Sequence, residues 1–126
     1  MTYHTHMSNS RQQLGQWGEE AAASYLCAKG YLILARNFHT PHGEIDIVAG
    51  MDDLLLFVEV KTRTSHSFAY PEDSVTRRKQ AHMLSAAEYY LDLHPESGDA
   101  WQFDVIAVEG KPGGEAQIEH FENVIG

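Results

Sequence analysis

The sequence is short of basic residues. Nine Lys and Arg stand against eighteen Asp and Glu in 126 residues, a formal net charge of −9 with histidine neutral. Proteins that hold nucleic acid by charge alone are normally basic, so this balance argues against a tight, metal-free nucleic-acid binder. Cysteine is nearly missing too. Cys27 has no partner for an internal disulfide, which excludes a disulfide scaffold and fits a reducing compartment, expected here to be the cytoplasm. Its Ala neighbours and helical setting predict a small packed residue rather than a nucleophile. No apolar run approaches the roughly 20 residues of a membrane helix. The opening MTYHTHMSNS is polar and has no apolar stretch of a secretory signal. Residues 1–9 are therefore expected to form a flexible arm, and no membrane partner is expected.

What is present is enough for one folded domain, expected over residues 10–126. Hydrophobic residues make up 43% and charged residues 21% of the chain, which supports a real core and excludes wholesale disorder. The acidity is uneven. Residues 1–91 carry ten acids and eight bases, whereas residues 92–126 carry eight acids and only Lys111. The front of the chain is nearly neutral and the last third is strongly acidic.

Periodicity sets the order of elements. Ser10 to Lys29 reads as a helix, with Ser10 as a cap and Gly30 as its stop. Leu14, Trp17, Gly18, Ala21, Ala22, Tyr25 and Leu26 form its apolar stripe, with Glu19 and Glu20 on either side. Tyr31–Phe38, Glu44–Ala49 and Leu54–Thr62 read as three strands joined by turns at residues 39–43 and 50–53. Such short connections predict an antiparallel meander. The unbroken apolar character of Leu54–Val60 predicts burial on both faces, with helices on both sides. A polar loop follows from Thr64 to Pro71. Ser74–His94 reads as a second helix with Ser74 as its cap and Val75, Met83, Leu84, Ala87, Tyr90 and Leu91 facing inward. Trp101–Glu109 is a fourth strand, and Ala116–Phe121 a last edge strand. The order α-β-β-β-α-β-(β) predicts an α/β domain with a mixed central sheet flanked by helices.

The stretch Gly43–Arg63, GEIDIVAGMDDLLLFVEVKTR, breaks the apolar pattern at Asp46, Glu59 and Lys61. A charge on a buried strand costs several kcal/mol unless it is paired or bound to a metal. Strand period places Asp46 with Glu44 and Val48, and Glu59 and Lys61 with Leu55 and Phe57. If the two strands pair, the three charges converge. A buried ion network is one explanation, but two acids with one lysine leave negative charge unbalanced. The other is a site. Asp46 and Glu59 suit a hard cation such as Mg²⁺ or Mn²⁺, which activates water and a phosphate. Lys61 can position the attacking water or stabilise developing charge. An acid on a neighbouring helix, such as Glu19, would complete the set.

These residues carry a family resemblance. GEIDIVA, a short turn and LLFVEVKTR, together with Gly15, Gly18-Glu19, Ala22, Lys79 and Phe103-Asp104-Val105, resemble the YraN-like family of small uncharacterised bacterial proteins over about residues 11–124. That family resembles the restriction-endonuclease-like fold with a PD-(D/E)xK core, in the style of Holliday-junction resolvases. The resemblance implies that Asp46, Glu59 and Lys61 are the core catalytic triad, that Glu19 rather than Glu20 is the helix acid, and that Asp46, Glu59 and Glu19 hold the metal. The implied activity is a metal-dependent endonuclease acting on DNA, branched or damaged, in repair or recombination. Related resolvases are dimers, which makes a homodimer a candidate state. Ile45 stands where the motif has proline, and Gln102 where the family often has arginine before the late Phe-Asp pair.

Arg63, Arg77, Arg78 and Lys79 are candidate phosphate contacts, and Gln80 is similar to a helix glutamine of related nucleases. Glu44 is either a second acid of the site or a surface group beside the turn. Asp104 is expected in a structural network, and His39, His42, His66 and His82 share no metal-ligand spacing. Two other readings remain open. One is a nucleic-acid-binding or adaptor protein that keeps the fold with little cleavage. The other is a metal-binding interaction module whose acidic C-terminal region docks to a basic partner.

Overall fold

A computed structural model describes residues 10–64 and 76–125. The expected arm at 1–9, the loop beyond Thr64 with His66, and the residues Ser74 and Val75 lie outside the described residues. Helix α1 spans Ser10–Ala28, followed by strands β1 (Leu32–Thr40), β2 (Gly43–Met51) and β3 (Leu54–Arg63). Helix α2 (Arg77–Leu93), a short 3-10 turn at Pro95–Ser97, and strands β4 (Ala100–Glu109) and β5 (Gln117–Phe121) follow among the described residues.

The five strands form one sheet in the order β1-β2-β3-β4-β5. The pairs β1–β2, β2–β3 and β4–β5 are antiparallel. Strands β3 and β4 run parallel, which requires the long crossover that contains α2. The expected meander and mixed sheet are thus present. Strand β3 is central, and that explains its unbroken apolar run. One face packs Leu56 and Val58 with Ala22, Ala23 and Leu26 of α1. The other packs Leu55 and Phe57 with Ala86, Ala87 and Tyr90 of α2. Aromatic edges close the second core, with Phe57 against Tyr90, Trp101 and Phe103.

Local details depart from the expectations at element ends. The turns are tighter. Thr40 still pairs with Gly43 and Met51 with Leu54, so each hairpin turns on two residues. Thr40 Oγ1 donates to the Gly43 carbonyl at 2.7 Å and accepts from the His42 N–H at 3.0 Å, closing the first turn. Asp52 enters the left-handed region at φ 54° in the second, a conformation that aspartate tolerates. Ser10 is helical rather than a cap. Helix α2 starts at Arg77, capped by the Thr76 hydroxyl accepting from Lys79 N–H at 3.2 Å, in place of the earlier start at Ser74. Leu84 was expected inside but is exposed, because the buried stripe of α2 runs through Met83, Ala86, Ala87 and Tyr90 at helical spacing. Cys27 was expected to be packed, but it is exposed, because Leu26 and Ala23 carry the inward face of that turn.

Candidate functional site

The site begins where the sheet opens. Pairing of β2 with β3 stops at Ile47 opposite Val58. The next residue of β2 is Asp46, and its Oδ2 accepts the Val60 N–H at 2.8 Å. A side chain thus takes over a strand bond that the backbone of β2 no longer makes, and it fixes the carboxylate between two separating strands. Glu59 and Lys61 follow on β3 beside this opening, with Lys61 Nζ 3.0 Å from Glu59 Oε2. The three core residues expected from sequence are brought together.

Glu19 joins them from the other side of the sheet. Gly18 allows this: a Cβ there would lie 2.0 Å from Thr62 Oγ1 and 2.9 Å from Thr62 Cβ. Only glycine lets α1 come this close to the end of β3. Glu19 is half-buried there, and its charge acts on Asp46. Glu20 is exposed and bonds Arg36 at 3.2 Å on the surface. Of the two acids, Glu19 is the one whose charge reaches Asp46.

The electrostatics are strained on the acid side. Burial, above all, raises the Asp46 carboxyl from 3.8 to about 6. The Val60 N–H bond pulls it back down, while the negative charges of Glu19, Glu59 and Glu44 push it up further. Lysines answer at Glu59. Lys79, from the first turn of α2, bonds the same Glu59 Oε2 that Lys61 holds. Burial favours the neutral amine of Lys79, but the bond to Glu59 and the charges of Glu59 and Asp46 outweigh it and hold its pKa above the ordinary lysine value.

A cavity of about 380 Å³ opens between the β2–β3 end and α2. Asp46, Glu59, Lys79, Arg78, Glu44 and His82 stand on its polar side, while Phe57, Met83 and Phe103 form apolar wall. Arg78 and Lys79 thus reach the cavity. Lys61, Glu19, Arg63, Arg77 and Gln80 are not among its lining residues. Glu44 also bonds His39 at 3.1 Å beside the first hairpin turn. Sequence reasoning assigned Lys79 to phosphate. Its bond to Glu59 had no signal in the chain, since it depends on how α2 docks.

Among the described residues, no three His, Cys, Asp or Glu side chains are grouped as a complete metal cage. Asp46 and Glu59 are the carboxylates of the cleft that could hold a hard cation. Mg²⁺ commonly takes one or two carboxylates and completes its shell with water and substrate oxygens, and the crowded acids around Asp46 are what a cation would relieve.

A second polar cluster lies apart from the cavity. Asp104 is fully buried and accepts from Gln102 Nε2 at 2.9 Å and Asn123 N–H at 3.0 Å. His120 Nε2 stands 2.6 Å from Asp104 Oδ2, and its Nδ1 lies 3.1 Å from Tyr25 Oη. This ties β4, β5, α1 and the chain end together, the structural role expected for Asp104. Gln102 serves as a neutral partner of Asp104.

Fold and cleft define a mixed α/β protein with a charged opening at one end of its sheet. A profile of the uncharacterised protein family UPF0102 matches residues 18–108. A UPF0102 protein of Syntrophomonas wolfei is 47% identical over 112 residues, 89% of this chain and 96% of that one. Another, of Syntrophotalea carbinolica, is 48% identical over 115 residues, 91% and 93% of the two chains. The chain belongs to the UPF0102 family, the one to which the YraN-like resemblance points. The solved structure of Pyrococcus furiosus SfsA in complex with Ca²⁺ is similar at a TM-score of 0.42 and 17% identity, covering 90% of this chain and 64% of that one. Among the described residues, no helix is long and apolar enough to cross a membrane.

Proposed function

We propose that this chain is a metal-dependent endonuclease with a restriction-endonuclease-like fold, hydrolysing phosphodiester bonds of branched or damaged DNA. The observation that carries the reading is the position of Asp46. It caps the point where β2 and β3 separate and lines the cavity with Glu59, to which Lys61 is bonded. Asp46 and Glu59 would hold Mg²⁺ or Mn²⁺, with Glu19 adding negative charge from α1. When bound, the ion supplies Lewis-acid polarisation of the phosphate and acidifies water.

The protein's own groups do the rest. The Val60 N–H fixes the rotamer of Asp46, and fixed donors lose little on reaction. Lys61 is held by Glu59 beside the opening, where an ammonium can orient the attacking water and stabilise charge developing on phosphorus-bound oxygen. Arg78, exposed at the cavity rim, suits a neighbouring phosphate. Since so few bases surround the cleft, DNA affinity should be modest and depend on the cation.

The test is a panel of labelled linear, single-stranded, flapped and four-way-junction DNA, incubated with Mg²⁺ or Mn²⁺. Wild type should cut at least one branched substrate, while Asp46→Asn and Lys61→Ala should lose the activity. Identical patterns for wild type and both variants on every substrate would sink the nuclease reading. One observation favours the second reading, a nucleic-acid-binding or adaptor protein with little cleavage. Glu59 already has two lysine partners, as a retired metal ligand would. On that reading all three proteins bind DNA alike, with affinity falling steeply in salt, and none cuts.

A further inference from the structure

Two ammonium groups converge on one carboxylate oxygen in a cleft of acids. Lys61 Nζ and Lys79 Nζ both contact Glu59 Oε2, and Glu59 itself is largely buried, with 15% of its side chain exposed. Lys61 lies two residues along the same strand and face as Glu59, so its ammonium stays close to that carboxylate. Lys79 comes from a different element. Its backbone N–H is held by the Thr76 hydroxyl at the start of α2, and its flexible side chain reaches across the cavity mouth. The negative groups it faces are Glu59 and Asp46. Glu19 and Glu44 add their charge to Asp46. This is the charge that a divalent cation would otherwise neutralise.

We propose that Lys79 is a built-in counter-cation of this site: its ammonium holds Glu59 until a divalent ion displaces it. The inference rests on the metal-binding reading above and adds a regulatory consequence. Without metal, the lysine keeps Glu59 compensated. When Mg²⁺ or Mn²⁺ enters, Glu59 exchanges one positive partner for another, and Lys79 swings to the cavity rim beside Arg78. It is there that an anionic phosphate would be met. Metal loading and phosphate capture are thereby coupled through one side chain, and an acidic protein gains a second cation at the cavity rim only when its site is ready.

The experiment is Mn²⁺ titration of the full chain by calorimetry, comparing wild type with Lys79→Met and, as a control for general charge, Lys29→Met on the loop after α1. Lys79→Met should bind Mn²⁺ about tenfold more tightly, because no ammonium has to be displaced; Lys29→Met should stay within about twofold of wild type. Equal Mn²⁺ affinity in wild type and Lys79→Met overturns the counter-cation role and leaves the metal reading standing. Mn²⁺ binding to neither protein overturns the metal reading and this inference with it. A measurement on the unmodified protein guards against a misfolded variant. In lysine-selective carbon NMR, saturating Mg²⁺ should move the Lys79 Cε signal towards that of a solvated lysine. An unmoved signal at saturation overturns the displacement.

Discussion

Replacing Asp46 with asparagine should make the protein more stable at neutral pH, although it removes the residue on which the proposed chemistry depends. In the folded chain, burial and the surrounding acids raise this carboxyl from 3.8 to about 6. The folded state then holds the proton more tightly than the unfolded chain does. Between about pH 4 and pH 6 it binds more protons, so stability falls as pH rises through that window. Below the window both states are protonated and nothing is lost. Above it the full penalty is present, at most about 3 kcal/mol at 1.36 kcal/mol per pKa unit. The amide introduced by Asp46→Asn carries no charge. Its oxygen can still accept the Val60 N–H, although a neutral acceptor forfeits about 1 kcal/mol of that bond. The net gain for Asp46→Asn at pH 7.5 is therefore at most about 2 kcal/mol, or up to roughly 8 °C in Tm for a domain of this size. Urea and thermal unfolding at pH 7.5 and pH 3.5, without divalent ions, read it directly. The gain should vanish at pH 3.5. A destabilised variant at pH 7.5, or the same gain at both pH values, would refute the account of Asp46 as a strained buried acid.

Gly18→Ala should destabilise the fold by about 1–3 kcal/mol despite the better helix propensity of alanine, because its Cβ meets the Thr62 side chain. Adding Thr62→Ala should recover most of the loss, a coupling that chemical denaturation of the double-mutant cycle measures. His120→Ala should cost about 2–4 kcal/mol in urea unfolding, since fully buried Asp104 loses a partner. Thr76→Ala should cost about 1 kcal/mol through the lost cap. By loosening the turn that carries Lys79, it should also speed amide exchange at the start of α2.

Much of this arrangement was legible in the chain. Leu54–Val60 announced a strand buried on both faces, and β3 is the centre of the sheet. Charges at Asp46, Glu59 and Lys61 inside apolar strands announced a place where burial is compensated. Periodicity could not choose between Glu19 and Glu20, which lie on either side of one stripe. That choice depends on Gly18 meeting Thr62, a contact between residues far apart in sequence. The Lys79–Glu59 bond was invisible for the same reason: it requires the crossover to bring the start of α2 back over the β2–β3 opening. His120 gave no signal either, because its partner Asp104 is buried only once β5 pairs with β4. Strand ends slipped by one or two residues where a hydroxyl or a left-handed aspartate closes a turn, which composition alone does not encode.

The central claim is that Asp46 and Glu59 together hold a divalent cation. Anomalous diffraction from a crystal of the full chain soaked in Mn²⁺ tests it most directly. One strong peak is expected within coordination distance of both carboxylates, with the Lys79 ammonium withdrawn from Glu59. A map with no peak at that position under saturating Mn²⁺, and with Lys79 still bonded to Glu59, would contradict it.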